Sequence, residues 1–332
     1  MRLKSNLAAD GALVLTTVVW GSTFFMAKDI LARWSPLSYM ALRFAVASAI
    51  LFVLFRRRIT GATREARRAG AILGALMGAG FALQAAGQVY TTASKSAFIT
   101  GLTTPLVPFV AYALLRARPG AENLVGVVLA TCGGLLILAP RDGGGVNLGD
   151  LLTLASTAAF AFHITLLSVY ARRFDAGQIT ALQITSTAAL VVVAWLALRA
   201  CGLAFGPEAL PEFVARESAP LVWDARVVWQ LVYLSTVATV AVFFLWTWGQ
   251  ARASATHAAV IFSLEPVFAN AFAVAFRGGQ EWLGARGYGG AGLVLAGIVV
   301  SELRWTERRR RRAGGGGLGA GYAPGSAGEV ED

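Results

Sequence analysis

Residues 87–102 read GQVYTTASKSAFITGL and residues 249–264 read GQARASATHAAVIFSL, two versions of one motif set 162 residues apart in a chain of 332. A second pair lies nearer the start of each half: TTVVWGSTFF from Thr16 and STAAFAFHIT from Ser156 stand 140 apart, a register that also sets Arg43 against Gln183. The offset grows by 22 between the two blocks, and the long connection 201–226, set against the compact 56–68, absorbs it. Self-similarity on this scale marks a duplicated unit.

The sequence around these motifs is apolar. Hydrophobic residues make up 56% and charged residues only 14%, with a mean hydropathy of +0.62. Soluble domains carry roughly a quarter charged residues, so a soluble globule is excluded. The 37 Gly and 10 Pro do not signal disorder, which needs low hydrophobicity and high charge; both are common in transmembrane helices. A spanning helix takes about 20 mostly apolar residues. Ten segments meet that length: 9–31, 37–55, 69–92, 96–115, 122–139, 149–170, 178–200, 227–250, 257–276 and 287–303.

The expected fold is therefore an all-α integral membrane protein of ten transmembrane helices. Five spans per copy is an odd number, which forces the copies into opposite orientations. Residues 1–140 and 141–303 form two inverted five-helix repeats on this reading, the plan of many secondary transporters, whose site lies between the repeats. A duplication that merely yields a stable bundle is the alternative. Residues 304–332, with Arg308 to Arg312 and then a Gly-rich end, read as a disordered cytosolic tail that touches anionic lipid.

The Lys and Arg residues orient the bundle. With the N-terminus inside, cytosolic segments hold 19 of the 29 and outer segments 9, leaving Arg43 within the second span. Both termini are expected in the cytosol, in a multi-pass protein of the cytoplasmic membrane. Clusters between spans explain the net charge of +11 better than nucleic acid does, and no nucleic-acid partner is expected. Trp20, Phe24, Phe25 and Lys28 leave no small-residue cleavage site, so the first apolar run reads as a retained helix. Cys132 and Cys201 lack Cys or His partners at ligand spacing; no metal or cofactor is expected.

WGSTFFMAK at Trp20 to Lys28, LRFAVASAILF through Arg43, the motif at 87–102 with Pro108 after it, and SLEPVFANAFA from Ser263 together resemble the EamA type of the drug/metabolite transporter superfamily. The resemblance covers roughly 11–303. It implies ten helices in two inverted halves and the export or uptake of small metabolites such as amino acids, amines or related compounds. The second half has Phe160-Ala161-Phe162-His163 where the family pattern has tryptophan, glycine and serine, so a symmetric pocket is not implied.

Candidate substrate-binding residues are the polar and aromatic groups at depth: Trp20, Thr23, Arg43, Gln84, His163, Gln183, Trp246, Glu265 and Asn270. Glu265 lies about 12 Å into its span, where carboxyl groups face polar cavities, relay protons or act as glue between helices. Pro266 removes a backbone donor beside it. Glu265 is also the candidate proton-coupling residue. Arg43 either snorkels, pairs or binds an anionic group, and a pairing with Glu265 is one hypothesis. His163 has Phe160 on its face, and Trp20 with Thr23 are its counterparts, an arrangement that suits a small-molecule pocket or, equally, a packed core. Gln88 and Gln250 read as structural amides, and Lys95 and His257 as solvated turn residues.

The expected function is a secondary transporter of small polar metabolites, working by alternating access in the efflux direction, with a proton as candidate co-ion. A lipid flippase on the same scaffold is the alternative. A membrane enzyme is disfavoured: the chain has 2 His and no metal-spacing motif, and no phosphate loop points to ATP drive. Oligomeric state is open.

Overall fold

The structure, a computed structural model, describes residues 7–116, 119–138, 147–243, 245, 246, 261 and 264–302. In lipid every backbone polar group needs an internal partner, so the apolar runs become helices. They are α1 (Leu7–Leu31), α2 (Pro36–Thr60), α3 (Arg64–Tyr90), α4 (Ala93–Gly101), α5 (Thr103–Leu115), α6 (Ala121–Leu138), α7 (Leu148–Arg173) and α8 (Ala176–Phe205). A short α9 (Glu212–Glu217) precedes α10 (Ala225–Ser235), which passes into a π-helical turn at Thr236–Ala241. Glu265–Arg277 and Gly284–Glu302 form α11 and α12. The second copy of the opening motif, apart from Ile261 and Leu264, lies outside the described residues, as do His257, Gln250 and the tail 304–332.

Helix starts follow their capping residues. Thr63, Thr92, Asn147, Asp175 and Asp224 each accept a hydrogen bond from an amide in the following first turn, at 2.7–3.2 Å. Pro36 opens α2, where its missing N–H costs nothing.

All ten expected segments contain helix among their described residues. Among the described residues, six helical stretches are long and apolar enough to cross a membrane: Asp10–Leu31, Pro36–Thr60, Arg64–Tyr90, Ala93–Leu115, Leu148–Ala171 and Ala176–Phe205. Ala121–Ile137 and Ala225–Ala241 are shorter apolar helices, and α11 has 13 residues. The connection expected at 201–226 begins later, because Leu203 and Phe205 extend α8, and it contains α9.

The described helices pack in a recurring scheme. α2 lies along α8, and α6 along α12; α1 lies against α11, and α7 against α4 and α5. Lipid supplies little hydrophobic drive between helices, so small residues let the backbones approach. At α6–α12 a Cβ on Gly133 would stand 2.4 Å from the Gly290 carbonyl oxygen. At α3–α7 a Cβ on Gly149 would stand 2.4 Å from that of Gly87. The main buried cluster joins α1, α2, α3, α8 and α10 around Trp34, Phe44, Met40, Leu51 and Met77; a second joins α4, α6 and α12 around Ile99, Val294 and Ile298.

Candidate functional site

Two helix boundaries lie at the centre of the bundle. α4 ends at Gly101, and α5 restarts at Thr103 with Pro105 in its first turn and Pro108 beyond. α11 starts at Glu265, with Pro266 next. Thr103 and Glu265 stand 162 residues apart, the offset of the motif pair, so the two helices begin at equivalent positions of the repeat. A proline in a first turn lacks only a donor that would be unpaired there anyway.

Residues at both boundaries line a cavity of about 250 Å³. Its wall takes Trp20, Thr23, Arg43, Met77, Phe81, Gln84, Thr100 and Thr103 from the first half, and Phe160, His163, Thr239, Phe243, Trp246, Glu265 and Ile298 from the second. Seven of the nine candidate residues are thus together: Trp20, Thr23, Arg43, Gln84, His163, Trp246 and Glu265. Gln183 and Asn270 are not on the wall.

Arg43 is buried, with 6% exposure, and does not snorkel. Its Nη1 donates to Tyr39 Oη at 2.9 Å and its Nε to Thr239 Oγ1 at 3.1 Å. The guanidinium carbon lies 5.5 Å from the Phe44 ring centre and 5.4 Å from that of Phe81. The suggested Arg43–Glu265 ion pair is not among the pairs that the described residues form, although both groups face one cavity. The π-helical turn makes the contact with Thr239 possible. Its wider winding lets Thr239 Oγ1 reach back five residues to Leu234 O at 2.8 Å, while the Ala238 carbonyl accepts from Trp20 Nε1 at 3.2 Å. Trp20, Phe243 and Trp246 meet edge to face with centroids 5.5–6.0 Å apart.

His163, Gln84, Asn270 and Gln88 are partnered across helices. His163 Nε2 is 2.8 Å from Gln183 Oε1, so Gln183 stands behind the histidine instead of facing the cavity. Gln84 Nε2 donates to Thr100 Oγ1 at 2.9 Å and ties α3 to α4 beside the break. Asn270 Nδ2 donates to Ser94 Oγ at 2.9 Å, joining α11 to α4. Gln88 is buried, and its Nε2 lies 3.3 Å from Ser96 Oγ. Lys95 corrects its turn reading: it lies within α4 and pairs at 2.7 Å with Asp150, which is fully buried. Acid and base are 55 residues apart, beyond any local signal.

Phe81, Phe243, Met77, Thr239 and Tyr39 were not legible as site residues. A signal did exist for two: Phe81 lies three residues before Gln84, and Phe243 three before Trp246, hence on the same helix faces.

One end of the bundle, at the α1–α2 turn, is polar and tied together by ion pairs and hydrogen bonds. Asp29 accepts from Arg226, Arg277 and Gln230. Glu281, with 2% exposure, accepts from the Ser94 and Ala93 amides at 2.9 and 3.3 Å and from Arg277 Nε at 3.2 Å. Lys28 caps the carbonyls of Gln88 and Val89. The 206–224 connection clasps this end. Glu217 accepts from the Leu37 amide at 3.1 Å, Arg216 donates to Leu31 O at 2.9 Å, and Trp34 Nε1 to Val222 O at 2.8 Å. Burial pushes the Glu217 carboxyl above its ordinary value, against the opposing pull of Ser35, the Leu37 and Ser38 amides and Arg216. No group of three or more His, Cys, Asp or Glu able to hold a metal occurs among the described residues.

The EamA-like transporter family matches residues 7–139 and 147–303. An uncharacterized transporter of Archaeoglobus fulgidus is 28% identical over 90% of this chain and 87% of its own length. The uncharacterized transporter YetK of Bacillus subtilis is 27% identical over 80% and 79%. The uncharacterized inner membrane transporter YedA of Escherichia coli K12 is 26% identical over 52% and 56%. A solved crystal structure aligns with a TM-score of 0.58 at 18% identity, over 92% of this chain and 99% of that one, a likeness of fold alone. The chain belongs to the EamA-like transporter family and is a multi-pass membrane transporter, not an enzyme.

Proposed function

We propose that the protein is a secondary transporter that moves small polar metabolites, amino acids, amines or related compounds, out across the cytoplasmic membrane by alternating access. On this reading ten spans form two inverted repeats, 1–140 and 141–303, with both termini cytosolic. The observation that carries it is one cavity walled by both halves, with a helix starting at each of two repeat-equivalent positions on its wall. Discontinuous helices at a repeat interface are where transporters place their sites. The pairing of α2 with α8 and α6 with α12, each helix against its repeat counterpart, supports a two-fold relation between the halves.

Glu265 carries the coupling proton. It opens α11 and faces the cavity, where a carboxyl group can exchange a proton as the site turns from one side to the other. The test begins with thermal stabilisation of the purified protein by amino acids, polyamines, nucleosides and sugars. A ligand at 100 times its Kd adds about 2.7 kcal/mol. Hits then go into proteoliposomes with an imposed pH gradient. Wild type should accumulate the ligand against its gradient; Glu265→Gln should keep exchange and lose accumulation. Unchanged pH-driven accumulation in the variant removes Glu265 from coupling. Movement of fluorescent lipids, with no soluble hit, replaces the metabolite reading with a flippase.

A further inference from the structure

We infer that the cavity is built for organic anions: a carboxylate held by Arg43, and a ring-sized apolar body against Phe81, Phe160 and Ile298. The inference rests on the transport reading above and names the substrate class of that same site.

Arg43 has donors committed to Tyr39 and Thr239, both uncharged, while its Nη2 has no hydrogen-bond partner among the described residues. No described Asp or Glu pairs with it. The rings of Phe44 and Phe81 hold the guanidinium in place but do not neutralise it. A guanidinium out of water without a counter-charge is costly, and its planar fork matches a carboxylate.

The other ionisable groups on the wall do not cancel this charge permanently. Arg43 cannot shed its proton, whereas Glu265 can gain one and His163 can stay neutral on Gln183. The fixed charge of the cavity is therefore positive. A bound anion neutralises Arg43, and a proton on Glu265 neutralises the second group, so the loaded site carries no net charge through the membrane.

Size and lining set the body of the ligand. Cavities of about 150 Å³ accept benzene. At about 250 Å³ this one has room for a ring with a short acidic arm, and most of the remaining wall is aromatic or aliphatic.

The test uses four probes with one phenylpropyl body, offered to the purified full-length protein: 3-phenylpropanoate, phenylalanine, 3-phenylpropylamine and 3-phenylpropanol. Affinity is read by calorimetry. The acid should bind at least tenfold more tightly than the amine and the alcohol. Arg43→Gln should lose at least tenfold for the acid and less than twofold for the alcohol, while Arg43→Lys should retain part of the acid's affinity. The proposal is overturned by an amine or alcohol that binds as well as the acid, by phenylalanine binding more tightly than the acid, by undiminished acid binding in Arg43→Gln, or by no binding across the series. The ranking in wild type alone decides the matter if a variant does not fold. Arg43-dependent binding of the acid without transport under any gradient upholds this inference and sinks the transport reading. Transport of the amine in place of the acid does the reverse.

Discussion

The two ends of the bundle are held by different means. At the α1–α2 end, Asp29 is 14% exposed and joins α1 to α10 and α11, while fully buried Asp150 joins α7 to α4. At the α2–α3 end, described ion pairs are Arg58–Asp175 at 2.7 Å and Arg173–Glu65 at 2.8 Å, with all four side chains more than half exposed. Partly buried pairs are screened by salt less than exposed ones, and exposed ion pairs contribute little to stability. The first end is thus held by ion pairs that tie α1 to α10 and α11, and α7 to α4. The second relies on packing, with charges that contribute little. Under the alternating-access reading, the α1–α2 end is the costlier one to open.

Breaking the α3–α7 contact should have the largest effect. Gly149 lies at the α1–α2 end, where an added Cβ would meet the Gly87 carbonyl oxygen at 2.4 Å and the Thr91 amide nitrogen at 2.8 Å. Backbone cannot rotate away as a side chain can. Gly149→Ala is expected to lose up to about 3 kcal/mol, seen as a lower Tm in detergent. Gly279→Ala is the control at the same end: nothing lies within 4 Å of its added Cβ, and its Tm should not move. Equal Tm values for the two variants would remove close packing from the account of this end.

Asp29→Asn comes next. It takes a carboxylate from Arg226 and Arg277, but Arg277 keeps Glu281 and Arg226 is 56% exposed and regains water, so the loss is about 1–2 kcal/mol. The informative readout is access. With Cys132 and Cys201 replaced by Ser, a cysteine at Thr23 should react faster with an impermeant maleimide added on the α1–α2 side once Asp29 is changed. An unchanged rate means that the network does not close this end.

The matching change at the far end is Glu65→Gln. Its partner Arg173 is 62% exposed, and the expected cost is no more than about 0.5 kcal/mol, with no change in access to the cavity. A cost equal to that of Asp29→Asn would erase the contrast between the ends.

How far the sequence foretold this follows from local contrast. Arg43, Gln84, His163 and Glu265 are polar residues in apolar runs, and such residues must face something polar, so they declared themselves. Gln183 and Asn270 gave the same signal, yet each points at another helix; depth along a helix is readable without its neighbours, but direction is not. Phe81 and Phe243 were marked only by standing three residues before Gln84 and Trp246, and Met77 is an apolar residue among apolar residues, with no contrast to detect. The π-helical turn that carries Thr239 to Arg43 has no local sequence signature. The break between α4 and α5 had one, in Pro105 and Pro108, as did the start of α11 in Pro266. The network around Asp29 joins residues about 200 to 250 positions apart, beyond any periodicity.

Glu217 gives the smallest effect, where sign matters more than size. Its carboxyl, 4% exposed, fastens the 206–224 connection to the start of α2, and burial raises it above the ordinary 4.5. The folded protein then holds this proton more tightly than the unfolded chain does. The contribution to stability is fully present below about 4.5 and is lost as the pH climbs through the raised folded value. Glu217→Gln keeps the acceptor for the Leu37 amide and cannot titrate. The Tm of wild type minus that of the variant should therefore be more favourable to wild type at about pH 5 than at about pH 8, with contributions from other acids cancelling in the difference. A flat difference means that the clasp does not sense pH. A difference of opposite sign means that the hydrogen bonds and Arg216 outweigh burial, and that the α1–α2 end is tightened by alkali instead of acid.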